Sequence, residues 1–320
     1  MIETITTNNK LETTNLRIVF MGTPEFAVAS LEALVQAGYN IVGVITAPDK
    51  TAGRGMKLSE SAVKKYAMEK GLRILQPEKL KNPLFLDELK SLQANVQAVV
   101  AFRMLPELVW NMPPMGTINV HASLLPQYRG AAPVNWAIIN GEKETGVTTF
   151  KLQQQIDTGN ILLQQKISIG EDETAGELHD KLKLIGAQLL VKTMRELSAG
   201  NLAEMPQQLA ENVVIQHAPK IFTETCKIEW NKGTDEIYNL IRGLSPYPGA
   251  FTLLNGKSFK IYHSKKEIAH HLFENGSVHT DYKTFLKFAC SKGFIHATDV
   301  QAEGRKRMPV QEFLKGYRPV

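Results

Sequence analysis

Short apolar runs alternate with amphipathic helical patterns in the first half of the chain, and this alternation constrains the fold more than any other feature. A β-rich run at residues 16–21 ends at Gly22, and a helical pattern follows from Phe26 to the stop signal Gly38. The alternation continues with apolar runs at 41–46, 72–75, 98–102 and 116–121 and with helical patterns at 62–70 and 84–92. It predicts an open, mostly parallel sheet with helices on both faces, which binds its ligands beyond the carboxyl ends of the strands.

The pattern changes after residue 200. Thr174 and Glu177 form a capping box that opens a long amphipathic helix, and residues 201–219 then show little regular pattern. Short strands are predicted at 227–230, 250–254 and 258–262, the last two joined by an Asn255-Gly256 turn. These strands predict a small antiparallel barrel of the OB type, a fold that commonly binds nucleic acid. The doublets Lys265-Lys266 and His270-His271 indicate an exposed insertion in it.

The predicted organisation therefore has four parts. We expect a flexible N-terminus at 1–15, an α/β domain at 16–205, a linker at 206–219 and the OB-like domain at 220–320.

Several classes of protein are excluded by composition. The chain of 320 residues has two cysteines and no CxxC motif, so neither a disulfide scaffold nor a cysteine-based zinc site is expected. The histidines show no metal-ligand spacing, and we predict no metal. The N-terminus is polar, and no apolar run approaches the ~20 residues of a membrane span, so we expect a cytoplasmic protein.

The positive charge is concentrated in the last third of the chain. Residues 1–219 contain 21 Lys and Arg against 22 Asp and Glu, whereas residues 220–320 contain 16 against 10. A net charge of +6 on one domain is expected if that domain meets a polyanion such as nucleic acid, although a solvated basic surface explains it equally well.

The residues that suggest chemistry lie between positions 119 and 159. Asn119 and His121 alternate along a predicted strand, so both side chains face the same side, and Asp157 follows in a tight Asp-Thr-Gly turn. An amide donor, an imidazole and a carboxylate without a Ser or Cys nucleophile suggest direct attack by the substrate on a carbonyl group, with an oxyanion to stabilise. Taken singly, each residue is more often structural, but their combination favours an active site.

Two other stretches give weaker signals, and composition alone favours a solvated surface loop over phosphate binding for the second. Gly22-Thr23-Pro24-Glu25 matches neither of the common glycine-rich nucleotide loops. The basic stretch at 49–57 either grips phosphate or is a solvated surface loop.

At this point the motifs resemble the bacterial methionyl-tRNA formyltransferase family. The resemblance covers nearly the whole chain and is carried by residues 20–28, 52–55, 119–126, 129–133, 157–159, 175–182, 228–230 and 241–250. It implies a Rossmann-like formyltransferase domain followed by an OB-like domain that holds tRNA. The implied reaction transfers the formyl group of 10-formyltetrahydrofolate to the α-amino group of methionyl-initiator-tRNA, for translation initiation.

The resemblance also assigns roles to individual residues. Asn119 and His121 would stabilise the oxyanion, and Asp157 would tune His121 and help to remove the proton of the amine. The folate-binding segment would be Ser123, Leu124, Leu125 and Pro126, and the tRNA contacts would include Lys50, Arg54, Lys57 and Arg242. The expected partners are initiator methionyl-tRNA and a folate, without a membrane, and the expected oligomeric state is a monomer.

Two alternatives remain open at this level. One is a formyltransferase that acts on an amino-sugar nucleotide, and the other is a non-catalytic RNA-binding protein. The insertion at residues 52–58 and the basic barrel favour tRNA over a nucleotide sugar. Asn119, His121 and Asp157 are all retained, which argues against a protein without catalytic activity. The segment Phe102-Arg103-Met104 departs from the family pattern, as do Gln155, Ile156 and Asn160 beside Asp157, which leaves the local shape of the folate pocket open.

Overall fold

The computed structural model describes residues 15–52, 57–208 and 214–318, which form two compact units. The first unit comprises residues 15–125, 147–165 and 182–208, and the second comprises 126–146, 166–181 and 214–318. The division crosses the sequence order because the two short stretches 126–146 and 166–181 cluster with the C-terminal third.

A seven-stranded sheet forms the centre of the N-terminal part. The first ten strands of the chain are β1 (Arg17–Gly22), β2 (Asn40–Ile45), β3 (Lys50–Ala52), β4 (Lys57–Ser59), β5 (Ile74–Leu75), β6 (Val96–Val100), β7 (Thr117–His121), β8 (Arg129–Gly130), β9 (Glu144–Lys151) and β10 (Ile161–Ser168). The sheet has the order β10-β9-β7-β6-β1-β2-β5, and the five strands from β7 to β5 run parallel. β9 runs antiparallel to β7, the strand that carries Asn119 and His121.

A side-chain cap begins some of the helices, and others begin without one. They are α1 (Glu25–Gln36), α2 (Ala62–Glu69), α3 (Pro83–Ser91), α4 (Glu107–Trp110), α5 (Pro133–Ile139), α6 (Ala175–Ser198), α7 (Thr234–Gly243) and α8 (Val310–Lys315), with a short 3-10 turn at Glu224–Cys226. The capping box predicted at Thr174 and Glu177 is formed: Glu177 Oε2 accepts from Thr174 N at 2.9 Å, and Thr174 Oγ1 accepts from Glu177 N at 3.3 Å.

The second unit contains an antiparallel sheet. The remaining strands are β11 (His217–Ala218), β12 (Ala250–Leu254), β13 (Lys257–Ile268), β14 (Val278–Thr280), β15 (Leu286–Cys290), β16 (Gly293–Ala302) and β17 (Met308–Pro309). The order is β12-β13-β16-β15-β14, with β17 paired to β16, and buried Phe259 and Phe288 lie in its core. Asn255 and Gly256 have φ values of 51° and 71°, as the predicted two-residue hairpin requires. This sheet agrees with the predicted OB-like domain.

Two details of the prediction are wrong. Residues 227–230 form no regular strand, and only Lys227 makes an isolated bridge, to Phe251. Lys265 and Lys266 are not in an insertion, because β13 continues through them and pairs with β16 as far as Ile268. The two adjacent, exposed lysines resembled a polar loop because β16, the strand that pairs with them, is distant in sequence.

The described residues contain no helix that is both long enough and apolar enough to cross a membrane. The same part of the chain contains no group of three His, Cys, Asp or Glu side chains arranged to hold a metal ion.

Candidate active site

Strand β7 carries the first two residues of the candidate site. Asn119 and His121 are two positions apart, so both side chains leave the same face of the strand, as predicted. The antiparallel register places Asn119 opposite Phe150 and His121 opposite Thr148 on β9. Asn119 is half-buried and the His121 side chain is only 7% exposed, so the imidazole is held within the first unit rather than in solvent.

Asp157 comes to this strand from a tight turn after β9. Its Oδ2 lies 3.8 Å from His121 Nδ1, and its side chain is 11% exposed. At this distance the two groups interact as an ion pair whenever the imidazole is protonated, without a direct hydrogen bond between these two atoms. The edge of the Phe150 ring meets the same imidazole, with 6.5 Å between ring centroids and planes at 84°. The structure therefore brings Asn119, His121 and Asp157 together at one end of β7.

The Asp157 turn is tightly packed against β9. Asp157 has φ of 53°, in the left-handed region that Asp adopts more readily than most residues. A Cβ on Gly159 would lie 1.7 Å from the Lys151 carbonyl oxygen, so only glycine permits this approach. Lys151 N donates to the Asn160 carbonyl at 2.9 Å and closes the turn. The close approach of this turn to β9 therefore requires the glycine of the Asp-Thr-Gly sequence.

The segment from Ser123 to Pro126 is fastened by two side chains that sequence reasoning missed. Thr148 Oγ1 donates to the Ser123 carbonyl at 2.7 Å and accepts from Leu125 N at 3.1 Å. Gln164 Nε2 donates to the Leu125 carbonyl and to Thr148 Oγ1, both at 2.9 Å. Ser123 is completely buried and Leu125 nearly so. The polar Thr148 inside the apolar run of β9 was the available signal, because a buried hydroxyl requires a hydrogen-bond partner.

Apolar side chains surround the polar groups of the site. Leu125 packs with Phe150 and Ile161, and half-buried Leu152 joins this cluster to the one that contains Phe102 and Leu105. The segment after β6 begins at Ala101, which has φ of 46°, and the Arg103 guanidinium donates to the carbonyls of Pro77 and Glu78. Burial lowers the pKa of Arg103. Apolar surface beside a few placed polar groups is typical of a small-molecule binding site.

The structure describes only some of the residues that were predicted to contact tRNA. Lys50 begins β3, which pairs with β4 as an antiparallel hairpin. Arg54 and the side chain of Lys57 lie outside the described residues. Next to this hairpin, Asp49 accepts hydrogen bonds from Lys64 and from Gln76 Nε2, the latter at 2.9 Å. The Lys64 hydrogen bond first, and then the Gln76 bond, lower the pKa of Asp49.

Arg242, another residue predicted to contact tRNA, is buried on α7. Its side chain is buried, with 5% of the residue exposed. Nη1 donates to the carbonyls of Glu173 and Gly170 at 3.0 and 3.3 Å, and Nε donates to Asn239 Oδ1 at 2.8 Å. Burial lowers the pKa of this guanidinium. Nε and Nη1 are therefore engaged by groups of the second unit.

Comparisons with known proteins identify the family of the chain. Residues 16–194 match the formyl transferase family, and residues 220–318 match the formyl transferase C-terminal domain. The chain belongs to the formyl transferase family. It is 52% identical over 314 residues to the methionyl-tRNA formyltransferase of Parabacteroides distasonis, covering 96% of this chain and 97% of the relative. It is 53% identical over 316 residues to the protein of the same name from Phocaeicola vulgatus, covering 96% and 98%.

Solved structures show the same fold at lower identity. The sugar 3N-formyl transferase WlaRD, crystallised with dTDP and 5-N-formyl-THF, is 20% identical with a TM-score of 0.65 and covers 91% of this chain and 99% of its own. HypX from Aquifex aeolicus, in complex with tetrahydrofolic acid, is 16% identical with a TM-score of 0.62. That match covers 96% of this chain and 49% of HypX.

Proposed function

We propose that this chain transfers the formyl group of 10-formyltetrahydrofolate to the α-amino group of methionyl-initiator-tRNA, giving N-formylmethionyl-tRNA. The observation that carries the proposal is the grouping of Asn119, His121 and Asp157 at the end of β7. This grouping occurs in a chain about half identical, over nearly its full length, to curated methionyl-tRNA formyltransferases.

The formyl donor fits the residues around the trio. Leu125, Leu152 and Phe102 provide apolar contact surface, and the segment from Ser123 to Pro126 provides backbone groups held in place by Thr148 and Gln164. We assign the binding of the donor to Ser123–Pro126 together with these apolar side chains. Thr148 and Gln164 set the shape of the segment.

The chemistry follows from the three polar side chains. The α-amino nitrogen attacks the formyl carbon, a carbon–nitrogen bond forms, and the bond from that carbon to the donor nitrogen breaks. Asn119 and His121 donate to the formyl oxygen as it gains negative charge. Asp157, 3.8 Å from the imidazole, stabilises positive charge on His121 and accepts the proton that the amine loses, directly or through water. The donor nitrogen takes up a proton as it leaves, so no covalent enzyme intermediate is needed.

We assign tRNA binding to the hairpin that contains Lys50, Arg54 and Lys57 and to the C-terminal part of the chain. The net charge of +6 on residues 220–320 supports this assignment, because phosphate neutralisation dominates nucleic-acid affinity. The proposal includes a cytoplasmic location, since charged initiator tRNA is used in the cytoplasm. It also includes a monomeric state.

The test follows labelled formyl from 10-formyltetrahydrofolate into acid-precipitable material. Parallel reactions contain methionyl-initiator-tRNA, uncharged tRNA, an amino-sugar nucleotide or no acceptor. We expect label only with the charged tRNA. Label in the amino sugar, or donor consumption without an acceptor, would overturn the proposal in favour of a sugar formyltransferase or a hydrolase. No reaction in any tube would leave a binding protein.

A further inference from the structure

Residues 204–207, here called the strap, lie along the turn that carries Asp157. Within the strap, Met205 exchanges two backbone hydrogen bonds with Ile161 at the start of β10. Ile161 N donates to the Met205 carbonyl at 2.8 Å, and Met205 N donates to the Ile161 carbonyl at 2.9 Å. Sequence patterns showed only an irregular stretch with prolines here. The structure instead attaches this stretch by its backbone to the strand that leaves the catalytic turn.

Gln207 reaches across the turn itself. Its Nε2 donates to the Asp157 carbonyl at 2.9 Å and to the Gly159 carbonyl at 2.8 Å. An amide nitrogen has two hydrogens, so both bonds form together. Both partners are acceptors, which also determines that the nitrogen rather than the oxygen of Gln207 faces the turn. One side chain therefore joins the first and third residues of the Asp-Thr-Gly turn.

Glu204 holds the next residue of the turn. Its Oε2 accepts from Asn160 Nδ2 at 3.0 Å, and its Oε1 accepts from Lys151 Nζ at 2.8 Å. Because Lys151 ends β9, this pair of bonds links the turn to the strand that lies beside β7. An aspartate at position 160 would lack the donor, so Asn160 suits the carboxylate of Glu204.

The geometry of Asp157 makes it sensitive to this support. Its left-handed backbone is less favourable than an extended or helical one, so the turn persists only when neighbouring groups hold it. The 3.8 Å separation from His121 Nδ1 is close to the limit of an ion-pair contact. A displacement of the turn by 1 Å would remove the carboxylate from the imidazole or place it against the ring.

We propose that the strap is a positioning element for the formyl transfer, in which Gln207 holds the carboxylate of Asp157 at its working distance from His121 through the backbone of the turn. Glu204 supports the same turn from its other end. Both act as positioning residues and contact no reacting atom. The inference rests on the proposed function, because it assumes that Asp157 takes part in the transfer.

The experiment compares three variants of the full chain. Gln207→Glu removes the donor, Gln207→Lys keeps a donor of similar reach, and Gln208→Glu makes the same charge change at the exposed neighbouring position. Steady-state kinetics with labelled 10-formyltetrahydrofolate and methionyl-initiator-tRNA give kcat and both KM values. Amide hydrogen exchange of residues 155–160 and thermal melting provide readouts that do not depend on activity.

We expect Gln207→Glu to lower kcat by about 10- to 100-fold, with both KM values within about threefold of wild type, because misplacement of a catalytic group affects the chemical step. Exchange in residues 155–160 should accelerate in this variant. Gln207→Lys should recover most of kcat, and Gln208→Glu should behave as wild type.

Three results would overturn the inference. One is a kcat for Gln207→Glu equal to that of Gln208→Glu. Another is a parallel loss of kcat, substrate affinity and melting temperature in both Gln207 variants, which would show a purely structural role. The third is equal hydrogen exchange of residues 155–160 in Gln207→Glu and Gln208→Glu, which would show that Gln207 does not hold the turn. This result counts even if wild type formylates no charged tRNA, an outcome that would refute the proposed function separately.

Discussion

Asp157 and Arg242 are two buried charged side chains to which sequence patterns assigned functions, and the structure treats them in opposite ways. Asp157 lies on a left-handed turn with its carboxylate 3.8 Å from the imidazole of His121. Arg242 donates three hydrogen bonds, to Gly170, Glu173 and Asn239, and stabilises the loop before α6. Both residues lie within motif segments, but Asp157 faces an imidazole whereas Arg242 is hydrogen-bonded to backbone carbonyls and an amide of the protein.

The difference concerns how the charge is used. A guanidinium whose donors end on backbone carbonyls contributes to folding, since those carbonyls would otherwise be buried without partners. A carboxylate beside a buried imidazole, on a turn held from two sides, is kept at the position that the proposed reaction requires. The contrast predicts that substitutions at Asp157 affect catalysis and that substitutions at Arg242 affect stability.

The largest expected effect is the loss of turnover in His121→Ala and Asp157→Asn. Each should lower kcat by about 10²- to 10³-fold, because a positioned donor or its charge partner is lost while the fold remains. Dissociation constants for charged tRNA, measured by filter binding, should stay within about twofold of wild type. Asp87→Asn, an exposed position on α3, is the matched control. A parallel loss of tRNA binding would break the comparison, because Asp157 would then serve tRNA binding and not the reaction alone.

An intermediate effect is expected for Arg242→Met. The substitution leaves the Glu173 and Gly170 carbonyls without their donor, so the free energy of unfolding should fall by about 2–4 kcal/mol. Urea denaturation measures this loss, with Arg305→Met at an exposed site as the control. The folded variant should bind charged tRNA as wild type does. Weaker tRNA binding without loss of stability would restore the direct contact predicted from the sequence.

The smallest effect concerns Glu204 and its pH dependence. The hydrogen bond from Lys151 first, and then that from Asn160, lower the pKa of this carboxyl below its ordinary value of 4.5. A carboxyl with a lowered pKa in the folded state stabilises the protein above its unfolded pKa, and this stabilisation disappears as the pH falls through the folded pKa. At pH 6, Glu204→Gln should therefore reduce the free energy of unfolding by about 0.5 kcal/mol, a small value because the carboxylate is 39% exposed.

Urea denaturation of wild type and Glu204→Gln between pH 6 and pH 3 measures the Glu204 contribution. The difference between the two proteins should shrink as the pH falls below 4.5, whereas the exposed Glu78→Gln should show no such trend. A difference that stays constant over this range would mean that the ion pair with Lys151 contributes nothing to the turn.

Local patterns predicted the elements whose causes are local. The capping box at Thr174, the Asn255-Gly256 turn and the alternation of Asn119 and His121 all depend on neighbours within a few residues, and all are confirmed. Patterns failed where a distant partner decides the structure. Residues 227–230 have a strand-like composition but form only one isolated bridge. Lys265 and Lys266 have the composition of a loop but lie in a strand because they pair with β16.

The sequence by itself determined the fold class and the two-part organisation and singled out the candidate trio of Asn119, His121 and Asp157, because hydrophobic periodicity and motif residues are local properties of the chain. Only the tertiary structure decided which residues support that trio. Thr148 and Gln164 shape the Ser123–Pro126 segment, and Gln207 holds the Asp157 turn from 50 residues away. Tertiary structure also decided that Arg242 is buried. Hydrogen bonds between distant segments leave no periodicity in the sequence, since they depend on where the sheet brings separate parts of the chain together.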